Sequence, residues 1–503
     1  MSFQPTNIAE PKPQTAGLHR LCTHAGSLAR RALTKSAWPY WSVFLALLAG
    51  LGLRLFFILV YPEFDGDSAV YGMIAKNMLL HHVYALDPPL RYTLIRLPGY
   101  PLFLVVVFKF FGMENYNPTR PIQMIVDLAS CLLIAAFVRD HVSRRAAYWA
   151  LWLAVLCPFT ANYTAEPMTE TNSIFCVALG LFAAGRLIRA TCLRGRLPWG
   201  YLALTALALA GAILFRPDGG LLAAAIVPGI WWYTRRRARR LSLRAALLCA
   251  LLAALPLVPW TIRNYRVFHV FQPLAPRYAT DPGESTLPGF VRWTKTWLME
   301  YVSSPEVYWK GDDSPIDMKL LPSRAFDSAE EYRQTGQLIS DYNVDCTDTP
   351  AIDARFNALA GQRINRHPFR YFVVLPVARV ADMWLRPRTE LITDSSPFEA
   401  MNSLIPIRWW EWRQHPTGSL VAFGYGLLNA LLLTMAVIGF IRRRVPFAAM
   451  LCAYIIFRCL LLATMENAEP RYTLEAFPIV IVAAAVAIAP RPRSSSRTGL
   501  DVT

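Results

Sequence analysis

Several signatures are missing from this 503-residue chain. There is no Gly-rich loop between a strand and a helix, so nothing marks a nucleotide-phosphate cradle. There is no Gly-x-Ser-x-Gly elbow and no His–Cys cluster at metal-ligand spacing, which removes the hydrolase and zinc-module readings. The nine cysteines stand singly, most of them inside apolar runs (Cys131, Cys157, Cys176, Cys249, Cys452, Cys459). Only Cys346 falls in the large polar stretch, so no disulfide framework is present. No internal repeat of the kind many transporters carry is visible. Acids are scarce as well: 34 Asp and Glu face 51 Lys and Arg, a net charge of +17.

What is present is apolar length. Residues of the apolar classes make up 54% of the chain and the mean hydropathy is +0.31, too high for a soluble protein of this size. In a soluble chain the charge would raise the question of nucleic acid. Here the basic residues cluster beside apolar runs, which is the pattern of membrane topology, and no nucleic-acid partner is expected. The reading is an all-α polytopic membrane protein of about ten spans: Tyr40–Tyr61, Pro121–Val138, Ala146–Tyr163, Ser173–Ile188, Tyr201–Phe215, Leu221–Tyr233, Ala245–Trp260, Gly418–Ile441, Phe447–Ala463 and Phe477–Ala489. Basic groups such as Thr234–Arg240 and Arg442–Arg444 then fall on one side, taken as cytoplasmic, and both termini lie there. Leu97–Gly112 and Phe369–Leu385 are apolar but short or charged, and are expected to lie in the interface without crossing.

The domain boundaries follow. Residues 1–39 form a polar, disordered cytoplasmic N-terminus without a cleavable apolar core. Residues 40–262 form a bundle with a first outer loop at 62–120, and 263–416 an outer-face segment with one interfacial helix. Residues 417–490 supply the C-terminal spans and 491–503 a cytoplasmic tail. Asp348-Thr-Pro opens a helix running to about Arg366.

With acids so few, their placement is informative. Phe64-Asp-Gly-Asp-Ser follows the first span and opens a short helix, with Asp67 heading a face of Val70, Tyr71, Ile74, Met78 and Leu79. An acid kept at the end of a span is costly unless used. Asp67 is either a helix cap or a general base taking a proton from an acceptor hydroxyl, with Asp65 beside it binding sugar or sharing a metal. Glu166 and Glu170 in Thr-Ala-Glu-Pro-Met-Thr-Glu are on the same side. Together with Tyr71 they are candidates for orienting a sugar, against the plainer reading of helix-start acids. Asp218 in Phe-Arg-Pro-Asp-Gly reads as a turn. Arg471, Arg263, Arg277 and Arg216 sit on the side that basic residues otherwise avoid. Guanidinium forks suit phosphate, so Arg471, with Arg263 or Arg277, is a candidate for a lipid phosphate; the alternative is an ion pair with Glu466 or Glu469. Trp293, Trp297, Trp309, Trp384, Trp409, Trp410 and Trp412 read mostly as an interface belt.

Asp-Gly-Asp-Ser-Ala-Val-Tyr-Gly after the first span, Leu-Pro-Gly-Tyr-Pro-Leu-Phe, the Thr-Glu beside a later span, Phe-Arg-Pro-Asp-Gly, Pro-Trp-Thr-Ile-Arg-Asn-Tyr and Glu-Pro-Arg-Tyr-Thr-Leu-Glu-Ala-Phe-Pro occur in that order. The set resembles the GT-C membrane glycosyltransferases, in particular protein O-mannosyltransferases, lipid A aminoarabinose transferases and bacterial dolichyl-phosphate-mannose-protein mannosyltransferase-like proteins. The resemblance runs from about Tyr40 to Pro490. It implies a polyprenyl-phosphate-linked sugar donor, a glycan, lipid or protein acceptor, and an inverting transfer at the outer face of the plasma membrane among membrane lipids. It also implies a catalytic acid at Asp67. Many members have Asp-Glu where this chain has Asp67-Ser68, with the second acid upstream at Asp65. No cofactor is certain, and a divalent cation stays open. The rival classes are a lipid-linked sugar transporter or flippase and a non-catalytic binding protein.

Overall fold

A computed structural model describes residues 41–489 apart from 65, 87–88, 285, 312–313, 348, 393–415 and 443–444. Asp65, Trp409, Trp410, Trp412 and the expectations for 1–39 and the tail therefore lie outside the described residues. The described chain is helical almost throughout, with one two-stranded antiparallel hairpin, β1 (Ala85–Leu86) against β2 (Arg91–Tyr92).

Among the described residues, six helices are long and apolar enough to cross a membrane: Trp41–Val60 (α1), Thr119–His141, Glu170–Arg194, Arg239–Phe268, Leu420–Arg442 and Pro470–Ile488. Shorter apolar helices are Gly99–Phe111, Trp199–Phe215 and Ala448–Thr464. Against the ten spans expected, six helices among the described residues reach sufficient length, and the difference has local causes. Ala146–Tyr163 is not one helix: Arg144–Val155 stops before Cys157-Pro158, because proline cannot supply the next backbone donor. Leu221–Tyr233 and Ala245–Trp260 are joined by helical residues within Gly220–Ala254. Thr234 Oγ1 nevertheless donates to Ser242 Oγ at 2.7 Å. Eight residues of straight helix span about 12 Å, so the chain bends sharply in the arginine-rich stretch. Gly99–Phe111 has 13 residues, about 20 Å of helix against a ~30 Å hydrocarbon core.

Glu170–Arg194 and Pro470–Ile488 are the most enclosed of the six. Small residues let the backbones close around them, as at Gly211, where a Cβ would stand 2.9 Å from Cys176 Sγ. The first span is fastened by charge. Arg54 and Asp127, both buried, pair through Arg54 Nε to Asp127 Oδ2 at 2.8 Å, and Arg54 Nη1 donates to the carbonyl of Val155.

The long segment after Phe268 has a core of its own. Phe290, Trp293, Trp297, Val307, Leu338, Tyr342, Phe356 and Ala360 pack together, joining Pro288–Lys295, Ala329–Tyr342 and Pro350–Arg366. The belt reading is therefore corrected for Trp293 and Trp297, which are fully buried, while Trp309 is exposed. The Thr349–Pro350 start is as expected: Thr349 Oγ1 accepts from Ile352 N, with Pro350 in the first turn. Leu375–Leu385 turns Arg379 and Asp382 inward and leaves Val377 and Leu385 exposed.

Candidate functional site

Asp67 stands in the first turn of helix α2, Gly66–Leu80. Burial in α2 is not confined to the face that Asp67 heads. Ser68, Gly72, Ala75 and Asn77 are also covered: Tyr116 packs against Gly72, and Asn77 Nδ2 donates to the Ala85 carbonyl at 2.9 Å. Two contacts orient the helix: Ser68 Oγ donates to the carbonyl of Pro167 at 3.0 Å, and the Tyr71 ring meets the Tyr100 ring edge-on at 5.1 Å. The first brings the outer loop onto the Thr-Ala-Glu-Pro stretch.

The Asp67 carboxylate is held by two arginines from distant parts of the chain. Oδ1 accepts from Arg96 Nη2 at 2.6 Å and Oδ2 from Arg471 Nη2 at 3.1 Å. Arg96 precedes Leu97-Pro98-Gly99, and at Gly99 a Cβ would lie 2.5 Å from the Leu214 carbonyl oxygen, so only glycine lets the loop approach that helix end. Arg471 opens the last span; its Nε donates to Glu469 Oε2 and its Nη1 lies 3.6 Å from Met168 Sδ. Burial pushes the Asp67 pKa up, but Arg96 and then Arg471 outweigh it, and the group sits below its ordinary value. Asp67 is thus an ionised acceptor at neutral pH.

A second set of pairs lies alongside. Arg216 Nη1 donates to Glu170 Oε1 at 2.7 Å, and its Nε lies 3.2 Å from Asp218 Oδ1 and 3.0 Å from Glu475 Oε1. Arg458 Nη2 bonds Asp218 Oδ2 at 2.8 Å and also Glu475. Tyr472 links the two sets: the guanidiniums of Arg216 and Arg471 lie 5.4 and 5.7 Å from its ring, and its hydroxyl donates to Glu469 Oε1 at 3.0 Å.

Of the residues nominated from sequence, Asp67, Glu170, Arg471 and Tyr71 converge, Tyr71 lying under Arg96 at 5.7 Å. Glu166 is buried next to them and its main-chain oxygen accepts from Gln123 Nε2 at 2.6 Å. Arg263 and Arg277 do not join Arg471. Arg263 donates to the carbonyls of Thr93 and Tyr84 at 2.7 and 2.8 Å, which ties down the hairpin of the first loop. Arg277 bonds Glu466 Oε1 at 2.7 Å on a half-exposed surface. Arg471 does make the ion pair with Glu469. Sequence reasoning missed Arg96, Arg458 and Glu475. For Arg458 a signal existed: it is the single charge inside the apolar helix Ala448–Thr464, and such residues are retained for a reason.

Among the described residues no group of three or more His, Cys, Asp or Glu is placed to hold a metal ion. Asp67 and Glu170 are each engaged by an arginine, and Asp65 lies outside the described residues.

Residues 96–262 match the family model of dolichyl-phosphate-mannose-protein mannosyltransferases. No curated protein matches the chain. Solved structures with a similar course include an Archaeoglobus fulgidus oligosaccharyltransferase tethered to an acceptor peptide. It is 15% identical, with 91% of this chain and 50% of that one covered and a TM-score of 0.47. The A. fulgidus oligosaccharyltransferase AglB with an inhibitory peptide and a dolichol-phosphate is 14% identical (90% and 50% covered, TM-score 0.45). ArnT from Cupriavidus metallidurans bound to undecaprenyl phosphate is also 14% identical (90% and 77% covered, TM-score 0.38). The chain spans about half the length of the archaeal enzymes.

Proposed function

We propose that this chain transfers one sugar from a polyprenyl-phosphate-linked donor to an acceptor hydroxyl at the outer face of the membrane. The observation carrying the reading is the pair Asp67–Arg471. The residue best suited as a base and the residue best suited to hold phosphate are 404 positions apart in sequence and meet at 3.1 Å. The matched family's description, which names a dolichyl-phosphate-linked mannose, supports the same donor class.

In the proposed reaction the acceptor oxygen attacks the anomeric carbon from the face opposite the phosphate. The bond from that carbon to the phosphate oxygen breaks, inverting the centre. The hydroxyl proton passes to Asp67, and polyprenyl phosphate leaves with the electron pair. Arg471 is the looser of the two partners of Asp67, at 3.1 Å against 2.6 Å for Arg96. A donor phosphate competes for its fork, and its transfer to the phosphate frees Oδ2 to accept the proton. Arg471 then balances charge growing on the leaving group, often the largest single contribution to catalysis. Arg96 keeps Oδ1 fixed. Glu170 and Glu166 line the same region and are proposed to orient the sugar.

A flippase would share the lipid site but would not break the glycosidic phosphate bond. Purified protein given dolichyl-phosphate mannose and a hydroxyl acceptor should release dolichyl phosphate and should not use a nucleotide sugar. Movement of intact donor across a vesicle, with no release, contradicts the reading. Mass analysis of envelope glycans with and without the protein identifies the acceptor.

A further inference from the structure

Arg386 follows the helix Leu375–Leu385 and is fully buried. Its Nε, Nη1 and Nη2 all lack a hydrogen-bond partner among the described residues. A guanidinium out of water with no acceptor is among the costlier things a fold can keep. Arg379 and Arg388, also buried, each keep at least one nitrogen bonded. Arg388, two residues on, donates to the carbonyls of Pro470 and Met383 at 3.1 and 2.9 Å and to Thr473 Oγ1 at 2.5 Å. Arg458 is ion-paired on two sides. The Arg388 bonds also fix where Arg386 stands: they bind its segment to residues 470–473, the strip that carries Arg471.

The backbone at Arg386 is set from the other side. Asn429 Nδ2 donates to the carbonyls of Trp384 and Arg386 at 2.7 and 3.1 Å. The guanidinium then lies over the Tyr301 ring at 4.4 Å. Through Arg388, two residues on, the segment that holds this guanidinium is bonded to Pro470 and Thr473, which flank Arg471 and Tyr472. The arrangement has a cation held rigidly by its backbone, backed by an aromatic face, with its whole hydrogen-bonding fork unused.

We propose that Arg386 is an anion-binding residue that, beside Arg471, takes oxygens of the donor's lipid-linked phosphate. This deepens, and rests on, the reading of the Asp67–Arg471 site as the place where a polyprenyl phosphate leaves. A planar fork grips phosphate bidentately, and two such forks on different sides hold one phosphate in a fixed orientation. That orientation directs the breaking bond toward the acceptor at Asp67. In the free protein the unpaired charge is a destabilising feature kept for its ligand.

The test uses the full chain purified in detergent, with a short-chain polyprenyl phosphate as probe and inorganic phosphate as a parallel arm. Binding affinity and thermal midpoint are measured for wild type, Arg386→Met, Arg386→Lys and Arg471→Ala. Arg386→Met should bind the lipid phosphate at least tenfold more weakly, while its midpoint without ligand is equal to or above that of wild type. Arg386→Lys keeps the charge without the fork; it should lose several-fold in affinity, and it carries the test if the methionine variant does not fold. A lower ligand-free midpoint with wild-type affinity makes Arg386 a structural residue and overturns the proposal. Equal protection by inorganic phosphate at the same concentration assigns the pocket to the free anion and overturns the lipid assignment. Affinity lost in Arg471→Ala but kept in both Arg386 variants defeats this inference alone. Unchanged affinity in all three variants defeats the donor-phosphate reading itself.

Discussion

Asp67 carries two opposing demands. As a base it needs proton affinity, and Arg96 and Arg471 reduce it. The sign is definite: a carboxylate whose folded value lies below its unfolded value of about 3.9 adds stability above that pH and loses it as pH falls through the lower folded value. The acid limb of kcat/KM should therefore lie below the ordinary carboxylate range. Arg96→Gln removes the closer of the two attractive charges, so the limb should move to higher pH, read from pH–rate profiles of the two proteins. A limb that does not move means that Asp67 is not the group being titrated. Arg471→Lys should weaken donor use several-fold while the protein still inserts, because an ammonium cannot reproduce the fork, and a donor titration reads this directly. At this scale the sequence was partly legible. Asp67, Glu170 and Arg471 stood out because charges are rare at span ends. Arg96 and Glu475 did not, because only the fold brings them to their partners.

Helices position these groups through close backbone approach. Gly99 lets the helix Gly99–Phe111 start against the end of Trp199–Phe215, and Arg96 leaves the same corner. Gly99→Ala places a Cβ 2.5 Å from the Leu214 oxygen. Overpacking of this kind costs about 1–3 kcal/mol, and transfer should fall with the thermal midpoint because Arg96 moves too. Unchanged stability and activity would show that the corner is compliant. The first span depends on a different device. Arg54→Leu leaves Asp127 buried and unpaired and should cost about 3–5 kcal/mol, whereas the double change with Asp127→Leu should recover most of it. Sequence patterning located the apolar runs well, because composition sets them. It misjudged Ala146–Tyr163 and the buried Trp293 and Trp297, because a proline break and a small tertiary core are decided by packing that hydropathy does not report.

For the molecule as a whole, the account needs the Asp67 region and the segment from Pro288 to Arg366 on one side and the arginine-rich bend on the other. Glu330 is well exposed on the outer segment, at 61% of its side chain, and Arg237 is exposed at the bend. With Cys346 replaced by serine, an impermeant thiol reagent added outside should label Glu330→Cys and spare Arg237→Cys; the reverse pattern moves the site to the other compartment. The one-sided basic clusters are what suggest this orientation, while the donor's sugar and the acceptor left no comparable mark. The central claim is that Asp67 accepts the proton during transfer, and Asp67→Asn tests it most directly, since asparagine keeps the shape and removes the charge. Turnover of a dolichyl-phosphate-linked sugar by the purified variant should fall by ~10²-fold or more, with donor affinity largely retained. Near-wild-type turnover by Asp67→Asn contradicts the account.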